Sequence, residues 1–305
     1  MGKDLEMYIE KINSPKDIKK FQIKELTELA GEVREAIINK VSDCGGHLAS
    51  NLGMVELTIA LHYVFDSPKD KFVFDVSHQT YCHKILTGRK DAFIEKESYQ
   101  NVTGFSNPLE SEHDLFAVGH TSTSISLACG LAKARDLRRE TENVIAIIGD
   151  ASLDGGEAFE ALNCASEITG NLIVIINDNE MSIPENHGAL GKHLKDLRLS
   201  AGTLPNNFFK ALGFQYLLVE KGNDIEAVIK ALNHVKDTKV PVVVHVCTQK
   251  GKGFKPAEED KENWHWARPF DKETGKRKNP DVVENYGNIV AEHLLGKMKE
   301  NSEIA

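Results

Sequence analysis

The sequence of 305 residues predicts an α/β fold, a doubly wound and mostly parallel sheet flanked by helices. Residues 144–148 and 172–176 are continuously apolar rather than alternating, which is typical of strands covered on both faces. A segment with helical periodicity lies between these two runs, and further strands alternate with helices along the chain. Such alternation produces a parallel sheet through right-handed crossovers.

Each element is predicted from its own pattern. Helices are expected where apolar residues recur every three or four positions, and strands where β-branched residues run together. In chain order the predictions are helix 22–41, helix 54–65, strand 72–76, an extended stretch ending at 118–120, helix 121–136, strand 144–148, helix 154–168, strand 172–176, helix 206–212, strand 215–219, helix 224–236 and strand 240–247.

A change in composition after residue 254 predicts a domain boundary. Residues 1–254 form the predicted ligand-binding domain. Residues 255–282 are charged and show no period, and an amphipathic helix is expected over 285–299. We therefore expect 255–305 to be an arm or linker and the start of a second domain that is otherwise absent.

The composition excludes several classes of protein. Acidic residues outnumber basic ones by 46 to 37, giving a net charge of −9, which argues against nucleic acid as a partner. No apolar run approaches the length of a membrane span, and the first residues do not resemble a secretory signal. The five scattered cysteines favour a reducing compartment over a disulfide framework. We expect a cytoplasmic protein of enzyme size.

A carboxylate and an amide follow the two clearest strands. Asp150 comes after the first strand and Asn179 after the second, so both should lie at the carboxyl edge of the sheet, where ligands of parallel sheets bind. Oxygen ligands of this kind suit Mg²⁺, which also accepts phosphate oxygens. The alternative is that Asp150 caps a helix and Asn179 belongs to a turn. Spacing alone leaves both interpretations open.

Other loops carry groups suited to anions. Gly149 to Ser152 and Gly119 to Ser122 each precede a predicted helix, whose N-terminus offers unpaired N–H groups to phosphate. Lys250 follows a strand and could reach a diphosphate, although glycine–lysine turns are also common on solvated surfaces. The sequence lacks the GxGxxG and GxxxxGK[ST] patterns, which disfavours dinucleotide and P-loop sites.

Four histidines lie in predicted loops, namely His47, His78, His120 and His265. A histidine after a strand is a candidate proton carrier or phosphate donor, but any single histidine of this kind is more often packed or exposed without a role. The HExxH and CxxC patterns of zinc sites are missing. The other eight histidines, His245 among them, have no comparable setting and are interpreted as structural.

These residues together resemble a known family. Gly149 and Asp150 followed by Asn177 to Asn179 resemble the thiamine-diphosphate signature. Five stretches are similar, in order and spacing, to the N-terminal domain of the transketolase-like 1-deoxy-D-xylulose-5-phosphate synthase family: 45–71, 74–91, 104–126, 177–190 and 248–266. The resemblance implies the diphosphate-binding type of the thiamine-diphosphate fold, and favours the metal interpretation of Asp150 and Asn179.

The resemblance also implies roles for individual residues. Magnesium would be bound by Asp150, Asn179 and the backbone carbonyl of Met181. The cofactor diphosphate would lie along His78, Gly119, Gly149, Ala151, Ser152 and Lys250. The proton-handling and substrate-facing histidines would be His47, His120 and His265. The sequence differs from the usual sequence of the family at Ala151 and Ser77, where glycine is usual, and at Cys82, where proline is usual.

The implied activity is decarboxylation of pyruvate and ketol transfer to glyceraldehyde 3-phosphate, a reaction of isoprenoid biosynthesis. The family's pyrimidine-binding domain has no counterpart here, so this chain is expected to be inactive alone. That domain would be supplied in cis, if the sequence is a fragment, or by a separate chain, in a homodimer or heterotetramer. Two alternatives remain open: a subunit of a split transketolase that moves two-carbon units between sugar phosphates, and a non-catalytic remnant.

Overall fold

A computed structural model describes residues 7–278 and 286–304. Five strands form one parallel sheet in the order β2-β3-β4-β6-β5, and two short strands, β1 and β7, pair antiparallel beside it. The strands are β1 (Gly46–His47), β2 (Lys71–Phe74), β3 (Val144–Gly149), β4 (Leu172–Asp178), β5 (Gln215–Val219), β6 (Val242–Cys247) and β7 (Trp266–Ala267).

The helices surround this sheet. They are α1 (Pro15–Ile18), α2 (Ile23–Cys44), α3 (Ala49–Gly53), α4 (Val55–Val64), α5 (Tyr81–Lys84), α6 (Asp91–Ile94), α7 (Ser124–Arg138), α8 (Gly156–Ala165), α9 (Gly188–Leu199), α10 (Phe208–Ala211), α11 (Ile225–Val235), α12 (Lys255–Glu259) and α13 (Tyr286–Glu300). Tyr8–Lys11, Lys96–Asn101 and Ala151–Asp154 form 3-10 turns, and Ile85–Arg89 forms a π turn.

Both faces of the sheet are covered, as the continuous apolar runs predict. Ile145 and Ile147 of β3 pack with α2, α4 and α11, whereas Ala146 and Ile148 pack with α7, α8, α9 and α10. Successive strand residues point to opposite faces, so positions 144–148 of β3 and 172–176 of β4 all need apolar side chains. The predicted doubly wound α/β fold is confirmed.

The chain order of the last strands differs from their order in space. After β4 the chain leaves the place beside β4 in the sheet empty and forms the edge strand β5. It then returns through α11, and β6 fills the place between β4 and β5. β4 and β6 are in register from Ile173 and Val242 to Asp178 and Cys247. The residues that follow β3, β4 and β6 therefore meet at one edge of the sheet.

Three expectations about secondary structure need correction. Residues 118–120 form no strand, because this segment is irregular and the Val118 carbonyl accepts a hydrogen bond from the Ser77 hydroxyl, at 2.8 Å. Helix α9 is not anticipated from its pattern, since Gly188 and Gly191 lower the helix propensity of its first turns. The aperiodic segment after 254 contains both α12 and β7.

Tertiary contacts explain the order of residues 255–278. The rings of Phe254, Trp264 and Phe270 pack edge to face or tilted, with centroids 4.7 to 5.6 Å apart, and the Phe270 amide donates to the Ser42 carbonyl. This segment thus packs on α2. The predicted boundary at 254 stays a prediction, and part of the predicted linker, residues 279–282, lies outside the described residues.

Helix α13 corresponds to the helix predicted at 285–299, of which residue 285 lies outside the described residues. It has no buried residues, and its apolar side chains are exposed, at Tyr286, Ile289, Val290, Leu294, Leu295 and Met298. In the described part of the chain, no helix combines the length and the hydropathy needed to cross a membrane.

A cavity at the carboxyl edge of the sheet as candidate functional site

A cavity of about 340 Å³ opens beyond the carboxyl ends of β2, β3 and β4. Its walls come from segments far apart in the chain, because each of the strand-to-helix loops contributes a few residues. Eleven of the twelve predicted site residues line it: His47, His78, Gly119, Gly149, Asp150, Ala151, Ser152, Asn179, Met181, Lys250 and His265.

Asp150 provides a buried carboxylate of the cavity. Its side chain is 2% exposed, and its Oδ2 atom is buried without a hydrogen-bond partner. Burial, and after it the charge of the nearby Asp178 carboxylate, raise the pKa of Asp150 to about 8. A buried carboxylate oxygen without a partner fits a divalent cation, which would remove the desolvation penalty of the charge.

The turn after β4 carries the other two predicted ligands. The Asn179 Oδ1 atom accepts a hydrogen bond from the Met181 amide, at 3.1 Å, and Glu180 between them has a φ of 65°. Among the described residues, no group of three His, Cys, Asp or Glu side chains could hold a metal. The predicted ligand set consists of one carboxylate, one amide and one backbone carbonyl and leaves positions for phosphate oxygens, and it stays a prediction.

Lys250 is buried at the same edge, so its interpretation as a solvated surface turn is wrong. Its side chain is 1% exposed, and Nζ donates to the Ser182 carbonyl at 2.6 Å. Gly53 lets this loop approach, because a Cβ atom there would lie 2.9 Å from the Gln249 carbonyl oxygen. Burial lowers the pKa of Lys250 to about 8, although the charge of Asp150 opposes the shift.

Three of the four predicted histidines form a cluster. The ring centroids of His47, His78 and His265 lie 4.8 to 5.5 Å from one another. Burial lowers the pKa of His47 and of His265 to about 4, and burial together with the other two rings lowers that of His78. The Nδ1 atoms of His78 and His265 have no partner. Burial thus favours the neutral form of all three rings.

The fourth histidine lies apart from them. His120 is exposed and is not one of the residues that line the cavity, although Gly119 and Thr121 on either side of it are. Its Nδ1 atom lies 2.9 Å from the Thr121 carbonyl oxygen. In the structure His120 is therefore at the outer surface beside the cavity, and its predicted role stays a prediction.

Two residues that position this site were not singled out from the sequence. Asn51 is fully buried, and its Nδ2 atom donates to the carbonyls of both His47 and His78, each at 2.8 Å. Asp75 follows β2 and accepts from the amides of Ser122 and Ser124, at 2.8 and 2.9 Å. Asp75 could be predicted from the sequence, because it follows a strand just as Asp150 does.

Ser77 lies where the family usually has glycine, and the structure shows how the loop tolerates serine there. Its φ of 69° lies in the region that favours glycine. Its hydroxyl donates to the Val118 carbonyl and accepts from the Ser106 amide, at 2.8 and 2.9 Å. These bonds fix the loop that brings Phe105 and Gly119 to the cavity wall.

The family model of 1-deoxy-D-xylulose-5-phosphate synthase matches residues 9–204 and 198–248. The chain belongs to this family. A synthase of Pelotomaculum thermopropionicum is 42% identical over 327 residues, covering 96% of this chain and 51% of the relative. One of Syntrophotalea carbinolica is 46% identical over 304 residues, covering 88% of this chain and 48% of the relative. The chain thus spans about half the length of the curated synthases it matches.

Solved structures show the same fold at lower sequence identity. A transketolase of Campylobacter jejuni has a TM-score of 0.66 and 20% identity, covering 89% of this chain and 46% of that one. Transketolase from Leishmania mexicana has a TM-score of 0.61 and 21% identity, covering 92% and 46%. At these identities the likeness establishes a common fold and nothing further.

The chain also differs in length from its synthase relatives. The alignment with the Pelotomaculum synthase covers 327 positions, more than the 305 residues present, so that relative has residues without a counterpart here. The two stretches that match the synthase family overlap at 198–204.

Proposed function

We propose that this chain is the diphosphate- and magnesium-binding half of a thiamine-diphosphate-dependent 1-deoxy-D-xylulose-5-phosphate synthase. The observation that carries the proposal is the unpartnered, buried Oδ2 atom of Asp150 at the edge of a cavity that also contains Asn179, Met181 and Lys250. Membership of the synthase family supports the choice of cofactor and reaction.

In this proposal, the oxygens of Asp150 and Asn179 and the Met181 carbonyl hold Mg²⁺. The diphosphate lies along His78 and Lys250 and along the backbone of the loops after β3 and before α7: Gly119, Gly149, Ala151 and Ser152. The Lys250 ammonium would exchange the Ser182 carbonyl for phosphate oxygens. When bound, the cofactor supplies the nucleophilic carbon and the electron sink for decarboxylation.

The histidines would hold and move protons. His47 and His265 are neutral at pH 7 and line the cavity, so each can take a proton from a substrate hydroxyl or return one to a carbonyl oxygen. His120 would meet the substrate at the rim. The proposed substrates are pyruvate, a 2-oxo acid, and glyceraldehyde 3-phosphate, an aldose phosphate; the family name itself gives the product, 1-deoxy-D-xylulose 5-phosphate.

A pyrimidine-binding domain would complete the enzyme. The matched relatives are about twice as long as the part that this chain covers, which supports a partner domain in cis or as a separate chain, within a homodimer or heterotetramer. The five cysteines are free thiols, which supports a cytoplasmic location.

A binding experiment tests the site. The full chain is titrated calorimetrically with thiamine diphosphate in the presence of Mg²⁺ and then in the presence of EDTA. We expect binding that requires the cation and that Asp150→Asn weakens at least tenfold. Asp154→Asn, a matched change of an exposed aspartate in the next turn, should bind as the wild type does. Equal binding by wild type and Asp150→Asn would contradict the proposed site.

A reconstitution experiment tests the reaction. The chain is mixed with the pyrimidine-binding half of a relative, and release of labelled CO₂ from pyruvate is measured with glyceraldehyde 3-phosphate present. The proposal expects CO₂ release only from the mixture. Transfer of two-carbon units between sugar phosphates without CO₂ release would instead assign the chain to a split transketolase, and no turnover in either assay, despite cofactor binding, would identify a non-catalytic remnant.

A further inference from the structure

A chain of hydrogen bonds runs beneath the turn that carries Asn179. The Tyr216 hydroxyl of β5 lies 2.7 Å from Nδ1 of His245 on β6, and Nε2 of His245 lies 2.7 Å from Oδ2 of Asp178 at the end of β4. The three strands are neighbours in the order β4-β6-β5, so the chain crosses the sheet in two steps. None of its three residues lines the cavity described above.

The tautomer of His245 follows from its partners. When the Tyr216 hydroxyl donates its hydrogen to Nδ1, a ring hydrogen lies on Nε2 and faces the Asp178 carboxylate. His245 is fully buried, and the Tyr216 ring stacks on Phe209 with an interplanar angle of 8°. Packing and hydrogen bonding together hold the His245 ring in one orientation.

Asp178 connects the His245 ring to the turn at residues 178–181. While its Oδ2 atom accepts from His245, its Oδ1 atom accepts from the Glu180 amide at 3.0 Å and lies 3.3 Å from the guanidinium of Arg198. Arg198 also binds the Glu180 carboxylate. Both oxygens of one carboxylate are thus used to fix the turn in which Glu180 takes a positive φ and Asn179 and Met181 are presented.

We propose that Tyr216, His245 and Asp178 are positioning residues for the divalent cation, and that they set its affinity by fixing the turn at residues 178–181. This inference rests on the proposed function. Residues that orient metal ligands from behind commonly change metal affinity 10- to 100-fold when replaced, although they do not touch the metal. Here the supporting residues extend from the ligand turn to the edge strand of the sheet.

The test measures Mn²⁺ binding to the full chain at saturating thiamine diphosphate, by the electron paramagnetic resonance signal of free Mn²⁺. We expect His245→Phe to weaken Mn²⁺ affinity tenfold or more, and His245→Gln, whose amide can still donate to Asp178, to restore most of it. Tyr216→Phe removes a single oxygen atom and should also weaken Mn²⁺ affinity, but by less than His245→Phe does. The affinity for thiamine diphosphate at saturating Mn²⁺ should stay near the wild-type value.

A matched control separates positioning from general stability. His62 is also fully buried and hydrogen-bonded to another histidine, but it contacts His83 and Phe72 away from the turn. His62→Phe should lower the melting temperature without changing Mn²⁺ affinity. The inference is overturned if His245→Phe and Tyr216→Phe bind Mn²⁺ as the wild type does, or lose no more affinity than His62→Phe.

The same titration distinguishes failure of the inference from failure of the proposed function. If Asp150→Asn abolishes Mn²⁺ binding but the variants at 216 and 245 do not alter it, only the inference fails. If the wild-type chain shows no Mn²⁺ binding that depends on Asp150, the proposed function fails and the inference fails with it. If His245→Phe does not fold, Tyr216→Phe decides the outcome.

Discussion

Replacing Asp150 by asparagine should stabilise the cation-free protein, and increasingly so as the pH rises. The carboxyl is buried, and its Oδ2 atom has no partner, so ionisation in the folded state leaves a charge that its other contacts compensate only in part. Asparagine has nearly the same shape and cannot ionise. The substitution therefore removes the cost of the charge while preserving the packing around the cavity.

The size of the effect follows from the two pKa values. The pKa of Asp150 rises from 3.8 to about 8 on folding, so the folded state binds a proton more tightly than the unfolded chain does. Stability then decreases as the pH rises from about 4 to about 8, by up to about 1.4 kcal/mol per pH unit. At pH 7 the carboxyl destabilises the fold by at most about 4 kcal/mol relative to pH 4.

The assay is urea unfolding followed by circular dichroism at pH 5, 6, 7 and 8, with EDTA present. The free energy of unfolding of Asp150→Asn minus that of the wild type should increase by about 1.4 kcal/mol for each unit from pH 5 to 7, and by about 1 kcal/mol from pH 7 to 8. The histidines with lowered pKa values affect both proteins equally and cancel in the difference. Glu160→Gln, at an exposed carboxylate of α8, should show no such increase.

The reasoning is refuted if the difference between the two proteins stays constant from pH 5 to pH 8. A constant difference would mean that Asp150 is already ionised in the cation-free protein, with its charge compensated by a neighbour. A difference that decreases with pH would mean that ionised Asp150 stabilises the fold, which is the opposite of what its burial implies.

Two further predictions concern the cavity walls. Ser77→Ala and Ser77→Gly both lose the hydrogen bonds to Val118 and Ser106, but only glycine adopts the positive φ without strain. In urea unfolding the alanine variant should therefore be about 1 kcal/mol less stable than the glycine variant. Equal stabilities of the two variants would contradict this prediction. The rings of His47 and His265 should remain neutral at pH 5.5 in ¹⁵N NMR spectra, because burial lowers their pKa to about 4; titration near pH 6.5 would show that these rings are solvated.

Much of this fold could be predicted because its central strands are covered on both faces. An apolar run such as 172–176 has one structural interpretation once turn residues bound it, and the observed strand is Leu172–Asp178. The residues of the cavity were predictable for a related reason. The carboxyl ends of parallel strands meet at one edge, and the family resemblance assigned specific roles to Asp150 and Asn179 there.

The remainder depends on contacts that a linear pattern does not contain. His245 could not be distinguished from other buried histidines, because its link to Asp178 requires β6 to lie between β4 and β5, against the chain order. His120 has the same kind of sequence context as His78, but its side chain faces solvent. The order of 255–278 comes from aromatic packing on α2, which no periodicity in that segment reveals.

The central position of β3, β4 and β6 has a consequence for how quickly a bound ligand can leave. Their amides are buried and paired on both sides, so they should exchange with deuterium only when the whole domain unfolds. The exposed residues Ser182 and Ile183 form a cover on the same cavity, and their carbonyls accept hydrogen bonds from the Lys250 ammonium. Brief local opening of this cover would release a ligand while its floor stays intact, so residence time and global stability can vary independently.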